Sequence, residues 1–238
     1  MALNINTFKT RTVTAIVFAA IMLLALLGNG YLLLGLLIVI TFGGLYEYAK
    51  LVKNISPKSF KGYLPLGLFY IFLPLALLAR LGFSEIAERN GHYFISNSET
   101  YSYLLPCAIV FSIWINDTMA YIVGSLIGKT PLSSISPKKT WEGTLGGGLL
   151  CIAVIGLLGN YIPAAQILPV MHWLIIAGIC AFFGSLGDLL ESKLKRAAGV
   201  KDSGTFMPGH GGFLDRFDSL LIATPIVFIY VKWIMNFI

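Results

Sequence analysis

Residues 184–219 read GSLGDLLESKLKRAAGVKDSGTFMPGHGGFLDRFDS and break a strongly apolar sequence with nearly half of the chain's acidic residues and, counting His210, six of its basic ones. On a helix through Asp188, the residues Glu191, Ser192 and Lys195 follow at three, four and seven positions, so all four share one face. Pro208-Gly209 and Gly211-Gly212 bracket His210, end that helix and free the backbone to approach a ligand closely. Asp215, Arg216 and Asp218 then stand just ahead of another apolar run. A polar block set between two hydrophobic segments is expected where a membrane protein meets water and does chemistry.

The surroundings of this block fix the class of protein. With 238 residues, 57% hydrophobic and 12% charged, and a mean hydropathy of +0.81, the chain is too apolar for an ordinary soluble domain. A helix needs about 20 apolar residues to cross roughly 30 Å of hydrocarbon. Runs near that length occur at 13–28, 31–50, 63–82, 102–124, 143–160, 166–187 and 218–237. The expectation is an all-α, polytopic transmembrane bundle of about seven spans. It forms a single integral membrane domain over 1–238, with N-terminal spans in 1–100 and a catalytic part in 101–238. The first span is the shortest, and Pro65 and Pro74 interrupt the third. Lys9 and Arg11 precede the first run as they would in a signal peptide. A second span follows at once through Gly28-Asn29-Gly30 and no small-residue cleavage site stands out, so the first helix reads as uncleaved.

Charge sets the orientation. A cytoplasmic amino terminus puts 14 of the 17 Lys and Arg residues inside and leaves Arg80, Arg89 and Lys232 outside, as the positive-inside bias requires. The expected location is the cytoplasmic (inner) membrane, with the active site on the cytoplasmic side. Cys107, Cys151 and Cys180 fall within spans without paired spacing and read as packing residues.

Further candidates appear along the chain. Glu47, near the inner end of the second span, either serves the active site or merely reaches water. The four lysines of Lys50 to Gly62 suit anionic lipid head groups, and the segment 83–101 reads as a solvated connector. In the fourth span Asp117, Tyr121, Gly124 and Gly128 recur along one face, and an intramembrane carboxylate normally faces a polar interior. Close packing of the two glycines is the plainer alternative. The loop 129–143, KTPLSSISPKKTWEG, gathers Ser133, Ser134, Ser136, Lys138, Lys139 and Thr140 around Pro137, a set of cations and hydroxyls that suits phosphate oxygens. Lying on acidic lipid is the alternative for that loop. Gly146-Gly147-Gly148 reads as helix packing, and His172, far from these motifs, as structural.

These motifs resemble the signature of phosphatidate cytidylyltransferase, also called CDP-diacylglycerol synthase. The family's pattern is matched by Ser192, Lys195, Arg196, Lys201, Asp202, His210, Gly211, Gly212, Asp215, Arg216 and Asp218. Upstream elements match through Asp117, Ala120 and Tyr121 and through Ser136, Pro137, Lys138, Lys139, Thr140, Glu142 and Gly143. The resemblance is specific over Asn116 to Ser219 and rests on hydropathy elsewhere. It implies transfer of a cytidylyl group from CTP to phosphatidate, with Asp188, Asp215, Lys195, Arg196, Arg216 and His210 as the catalytic set. Asp117, Tyr121, Ser136, Lys138, Lys139, Thr140, Glu142, Ser192, Lys201 and Asp218 are then substrate-binding. Two polyanions must be brought together, which a divalent cation held by carboxylates does well. Asp188 and Asp215, at the inner ends of consecutive spans, are the expected metal ligands. The resemblance implies Mg2+, with K+ as a candidate second ion.

The implied partners are CTP, phosphatidate and membrane lipid, with a homodimer as a candidate assembly and no nucleic acid. Competing readings are a CTP-dependent enzyme acting on another lipid, such as CDP-archaeol synthase or a lipid-alcohol kinase, and an ion-coupled transporter using Asp117, Asp188 and Asp215.

Overall fold

A computed structural model describes residues 5–89, 91–207, 209 and 211–235. Helix α1 (Ile5–Leu27) and helix α2 (Gly30–Ile55) are joined by a tight turn in which the Asn29 side chain accepts from Leu32 N at 3.0 Å and caps α2. The third apolar segment is helical over Phe60–Gly82 as α3 (Phe60–Gly67), a π-helical turn at Leu68–Phe72, and α4 (Leu73–Gly82). Pro65 and Pro74 therefore do not end the span; between them the hydrogen-bond ladder widens by one residue. Helices α5 (Leu104–Ile127), α6 (Trp141–Tyr161), α7 (Val170–Ala197) and α8 (Leu214–Ile229) complete the bundle, α8 continuing into a π-helical turn at Tyr230–Ile234. Among the described residues, six helical segments are long and apolar enough to cross a membrane, and α1 adds a shorter apolar stretch, Thr12–Leu27. This is a polytopic helical membrane bundle.

Two departures from expectation bear most on the architecture. The sixth span does not stop at 187: α7 runs on to Ala197 and carries the whole polar face with it. The segment 83–101 is more than a connector. It forms an antiparallel hairpin of β1 (Ser84–Arg89) and β2 (His92–Asn97), with Arg89 paired to His92 and Gly91 at φ +78 in the turn. Ile86 and Ile95 pair across it and are buried, which alternation over six residues permits.

Glycines set the close helix crossings. A side chain on Gly143 would meet Ala120 O at 2.7 Å, and Gly147 lies against the backbone of Ala120, so α5 and α6 touch backbone to backbone. Gly187 likewise admits the carbonyl of Asp218, and Gly184 admits Ser219, seating the start of α8 on α7. The packing role expected for Gly146-Gly147-Gly148 holds for its first two members. Gly124 and Gly128 take Thr140 against them, and Gly124 also lines one polar cavity with Asp117 and Tyr121, so the α5 stripe serves packing and cavity together. All three cysteines are buried and unpaired.

Candidate active site

The C-terminal halves of α5 and α7, the first turns of α6 and α8, and the 128–140 loop enclose a cavity of about 570 Å³. Its wall includes Asp117 and Tyr121 from α5, Ser136, Lys138, Lys139 and Thr140 from the loop, Asp188 and Lys195 from α7, and Asp215, Arg216 and Asp218 from α8. Residues separated by up to a hundred positions meet here because Gly143, Gly147 and Gly187 let the four helices approach.

The loop is a compact turn of its own. Pro131 and Thr140 form an isolated bridge, Leu132 N donates to Lys139 O at 2.7 Å, and Lys139 N donates to Ser136 O at 3.1 Å. The Pro137 turn thereby presents two adjacent lysines inward. Thr140 caps α6, its hydroxyl accepting from Gly143 N at 3.1 Å. Glu142 does not line the cavity: its carboxylate accepts from Lys129 N and Thr130 N at 3.2 Å and ties the loop to α6. Lys139 reaches across to pair with Asp188. Burial holds the Lys139 ammonium below its ordinary pKa, while the charges of Asp117 and Asp218 pull the other way.

On α7 the expected face is present. Ser192 Oγ donates to Asp188 Oδ1 at 3.3 Å, orienting that carboxylate, and Lys195 is gripped between Glu191 and Asp215, 2.6 Å from Asp215 Oδ1. Asp188, Glu191 and Asp218 bring carboxylate oxygens within 4.8 Å of one another, a buried acidic cluster. Glu191 is 0% exposed; its Oε2 pairs with Lys195, while Oε1 has no hydrogen-bond partner. Carboxylates this close repel one another unless cations lie among them. Lys139 and Lys195 supply two positive charges, and the all-oxygen donor set suits a hard divalent cation.

Asp215, expected beside Asp188 as a ligand, has other partners. Its Oδ2 accepts from Ser203 N and Gly212 N, both at 2.8 Å, and lies 2.9 Å from Ser203 Oγ, whereas its Oδ1 meets Lys195. Gly211 lies at φ +88, and a side chain on it would collide with the Asp215 carboxylate. The glycines of this motif thus let the backbone close on the protein's own carboxylates, where the sequence suggested approach to a ligand.

The remaining expected residues divide. Arg216 and Asp218 line the cavity. Arg196 is turned away, its guanidinium donating to Val200 O at 3.0 Å, and Lys201 lines a separate hollow with Lys50. His210 lies outside the described residues. Ser203 and Asn116 were not singled out from sequence, Glu191 was placed on the Asp188 face without a site role, and Glu47 stood open between serving the site and reaching water. Glu191 carried a usable signal, three residues after Asp188; Glu47 and Ser203 gained their significance only through contacts far apart in the chain.

The profile of the family described as Cytidylyltransferase family matches residues 69–234. The chain belongs to that family. As a cytidylyltransferase it is similar to phosphatidate cytidylyltransferase of Staphylococcus haemolyticus, 32% identical over 256 aligned residues that cover 92% of this chain and 97% of the relative. The Bacillus subtilis phosphatidate cytidylyltransferase is 38% identical over 189 residues, 77% of this chain and 63% of the relative. Phosphatidate cytidylyltransferase 4, chloroplastic, of Arabidopsis thaliana is 50% identical over 117 residues, 49% of this chain but only 29% of that longer protein. Membership makes the chain an integral membrane nucleotidyltransferase, and the acidic cluster accords with the divalent-metal dependence of this family.

Proposed function

We propose that the chain transfers the cytidylyl group of CTP to phosphatidate, giving CDP-diacylglycerol and pyrophosphate, at the cytoplasmic face of the inner membrane. One observation carries this reading. A single cavity of about 570 Å³ at one end of a membrane bundle brings Lys138, Lys139, Lys195 and Arg216 together with an acidic cluster whose oxygens lie within 4.8 Å. Cations alone would suit any anionic lipid. Cations facing clustered carboxylates suit a polyphosphate that arrives with a divalent ion.

A phosphatidate oxygen attacks the α-phosphorus of CTP; a new O–P bond forms there and the bond to the β-phosphate oxygen breaks, releasing pyrophosphate. The attacking oxygen is already anionic near neutral pH, so no dedicated base is needed. The protein's contribution is to hold two anions in line and offset their charge. Lys138 and Lys139, presented by the Pro137 turn, face the triphosphate, with the hydroxyls of Ser136 and Thr140 as donors. Arg216, from the first turn of α8, adds a planar donor pair suited to phosphate. Asp188 and Asp218 would hold a divalent ion, with Glu191 behind them. Asp215, paired with Lys195, would be a further candidate ligand beside them. When bound, Mg2+ supplies charge neutralisation and orientation to the triphosphate oxygens. The acyl chains remain in hydrocarbon along the flank of α7, where Phe182, Leu186 and Leu190 are exposed.

The test is conversion of labelled CTP to CDP-lipid by the detergent-solubilised protein, with phosphatidate and Mg2+ supplied. Turnover that requires all three supports the reading, and partial recovery of an Asp188→Asn variant by Mn2+ would assign that carboxylate to the ion. Turnover of an ether-lipid phosphate or a lipid alcohol in place of phosphatidate would reassign the substrate. The absence of CTP turnover by folded protein would overturn the reading.

A further inference from the structure

Glu47 lies on α2, ahead of the stretch that the family profile matches, and is only 4% exposed. Its carboxylate is nonetheless fully engaged with the far end of the chain. Oε1 accepts from Phe213 N at 3.0 Å, and Oε2 accepts from Leu214 N at 3.0 Å and from the Ser203 hydroxyl at 2.7 Å. These amides open α8, where backbone N–H groups have no partner within the helix and a negative charge is favourable. Ser203 N donates to Asp215 Oδ2 at 2.8 Å, so one serine, through its hydroxyl and its N–H, links Glu47 to a carboxylate of the cavity.

The chain fits tightly around this carboxylate. A Cβ on Gly204 or on Gly212 would collide with Glu47, and neither glycine has the positive φ that would by itself demand glycine. Both are small because Glu47 is there. The second glycine of the Gly211-Gly212 pair therefore answers to a residue more than 160 positions away, as the separation of the Glu47 contacts with Phe213 and Leu214 shows.

We propose that Glu47 is a positioning residue for nucleotidyl transfer. It anchors the first turn of α8, together with Ser203, Gly204 and Gly212, to α2. Through Ser203 it fixes the Asp215 carboxylate, and with the α8 backbone it sets where Arg216 and Asp218 stand in the cavity. This rests on the nucleotidyl-transfer reading given above.

The test uses the whole protein in detergent. Glu47→Gln keeps the volume but turns an NH2 group toward a backbone N–H donor. The expected result is a normal folded yield, faster hydrogen exchange confined to amides of 203–214, and a CTP KM near the parental value. The kcat per folded molecule falls about 10–100-fold, the scale on which small misplacements act. Ser203→Ala, a smaller change, should show the same local pattern with a smaller loss of kcat, and it decides the matter if the Glu47 variant does not fold. A double change adds a contact test: Gly212→Ala should cost less activity in a Glu47→Ala background than alone. Parental kcat and parental exchange in a folded variant would overturn the proposal. So would a loss of activity that follows only the loss of folded protein. The exchange measurement needs no turnover, so failure of the cytidylyl reading and failure of the Glu47 proposal are distinguishable.

Discussion

The two ends of this bundle use polar residues in opposite ways. At the hairpin end, polar groups meet mostly neutral partners. His172 Nδ1 and Tyr230 OH are 2.7 Å apart, Trp173 Nε1 donates to Ala165 O at 2.9 Å, and Tyr101 OH donates to Leu26 O at 2.6 Å. Burial pushes the Tyr101 phenol up to about 12, so it remains a donor. Two of the cations there, Arg80 and Lys232, are spent on Asn97 and on Ile95 O. At the cavity end, by contrast, six carboxylates crowd four cations, and Glu191 keeps one buried oxygen, Oε1, without a partner. The first arrangement closes a fold. The second is costly to hold together and suits charged substrates that complete it.

The largest contrast expected between the ends is one of sidedness. Single cysteines at Lys58, Ser134 or Asp202, in a background lacking Cys107, Cys151 and Cys180, should be closed to an impermeant thiol reagent on intact cells, while one at Glu88 should react. Labelling at position 202 from outside would invert the orientation. Next in size, Asp188→Asn or Asp218→Asn should lower turnover by about 10²–10³-fold, the loss expected when a charge-stabilising group is removed. His172→Phe should leave turnover near the parental value. Near-parental turnover by a folded Asp188→Asn protein would erase the distinction between the ends. The loop lysines come third: replacing Lys138 and Lys139 together by alanine should raise the CTP KM about tenfold or more, given charge-assisted hydrogen bonds of about 1.5–3 kcal/mol each. An unchanged CTP requirement would return this loop to lipid anchoring. The smallest effect belongs to the hairpin end. Tyr230→Phe strands the buried His172 nitrogen and should cost about 1–3 kcal/mol in unfolding experiments, with activity intact.

What could be read from sequence follows the range of the interactions. The spans were legible because hydrocarbon demands long apolar helices, and the α7 face was legible because Asp188, Glu191, Ser192 and Lys195 lie within two turns of one helix. The loop lysines were legible because Pro137 and the hydroxyls cluster within a few residues. The hairpin was missed because six-residue strands alternate too briefly to outweigh their acidic residues, although Asn90-Gly91 is a hairpin-turn dipeptide. The partners of Asp215 were missed for a different reason: three of its contacts are backbone N–H groups or a serine that sequence does not mark. Arg196 matched the motif and still faces away, since a position on a helix does not fix where a long side chain goes. Glu47 stood open between two readings because its partners lie 156 to 167 residues downstream.

That separation bears on how the protein is made. Chains emerge amino terminus first, so α2 enters the bilayer long before its acceptors' donors exist. During translation of more than 150 residues, Glu47 carries a carboxylate with nothing to receive. Its place near one end of α2 lets it stay in contact with water over that interval. Only when 203–214 arrives is the carboxylate drawn in, so completion of α8 is the event that seals the early half of the protein to the late half. A chain truncated before residue 203 would keep α1 to α7, lack α8, and leave this acid without the amides that donate to it.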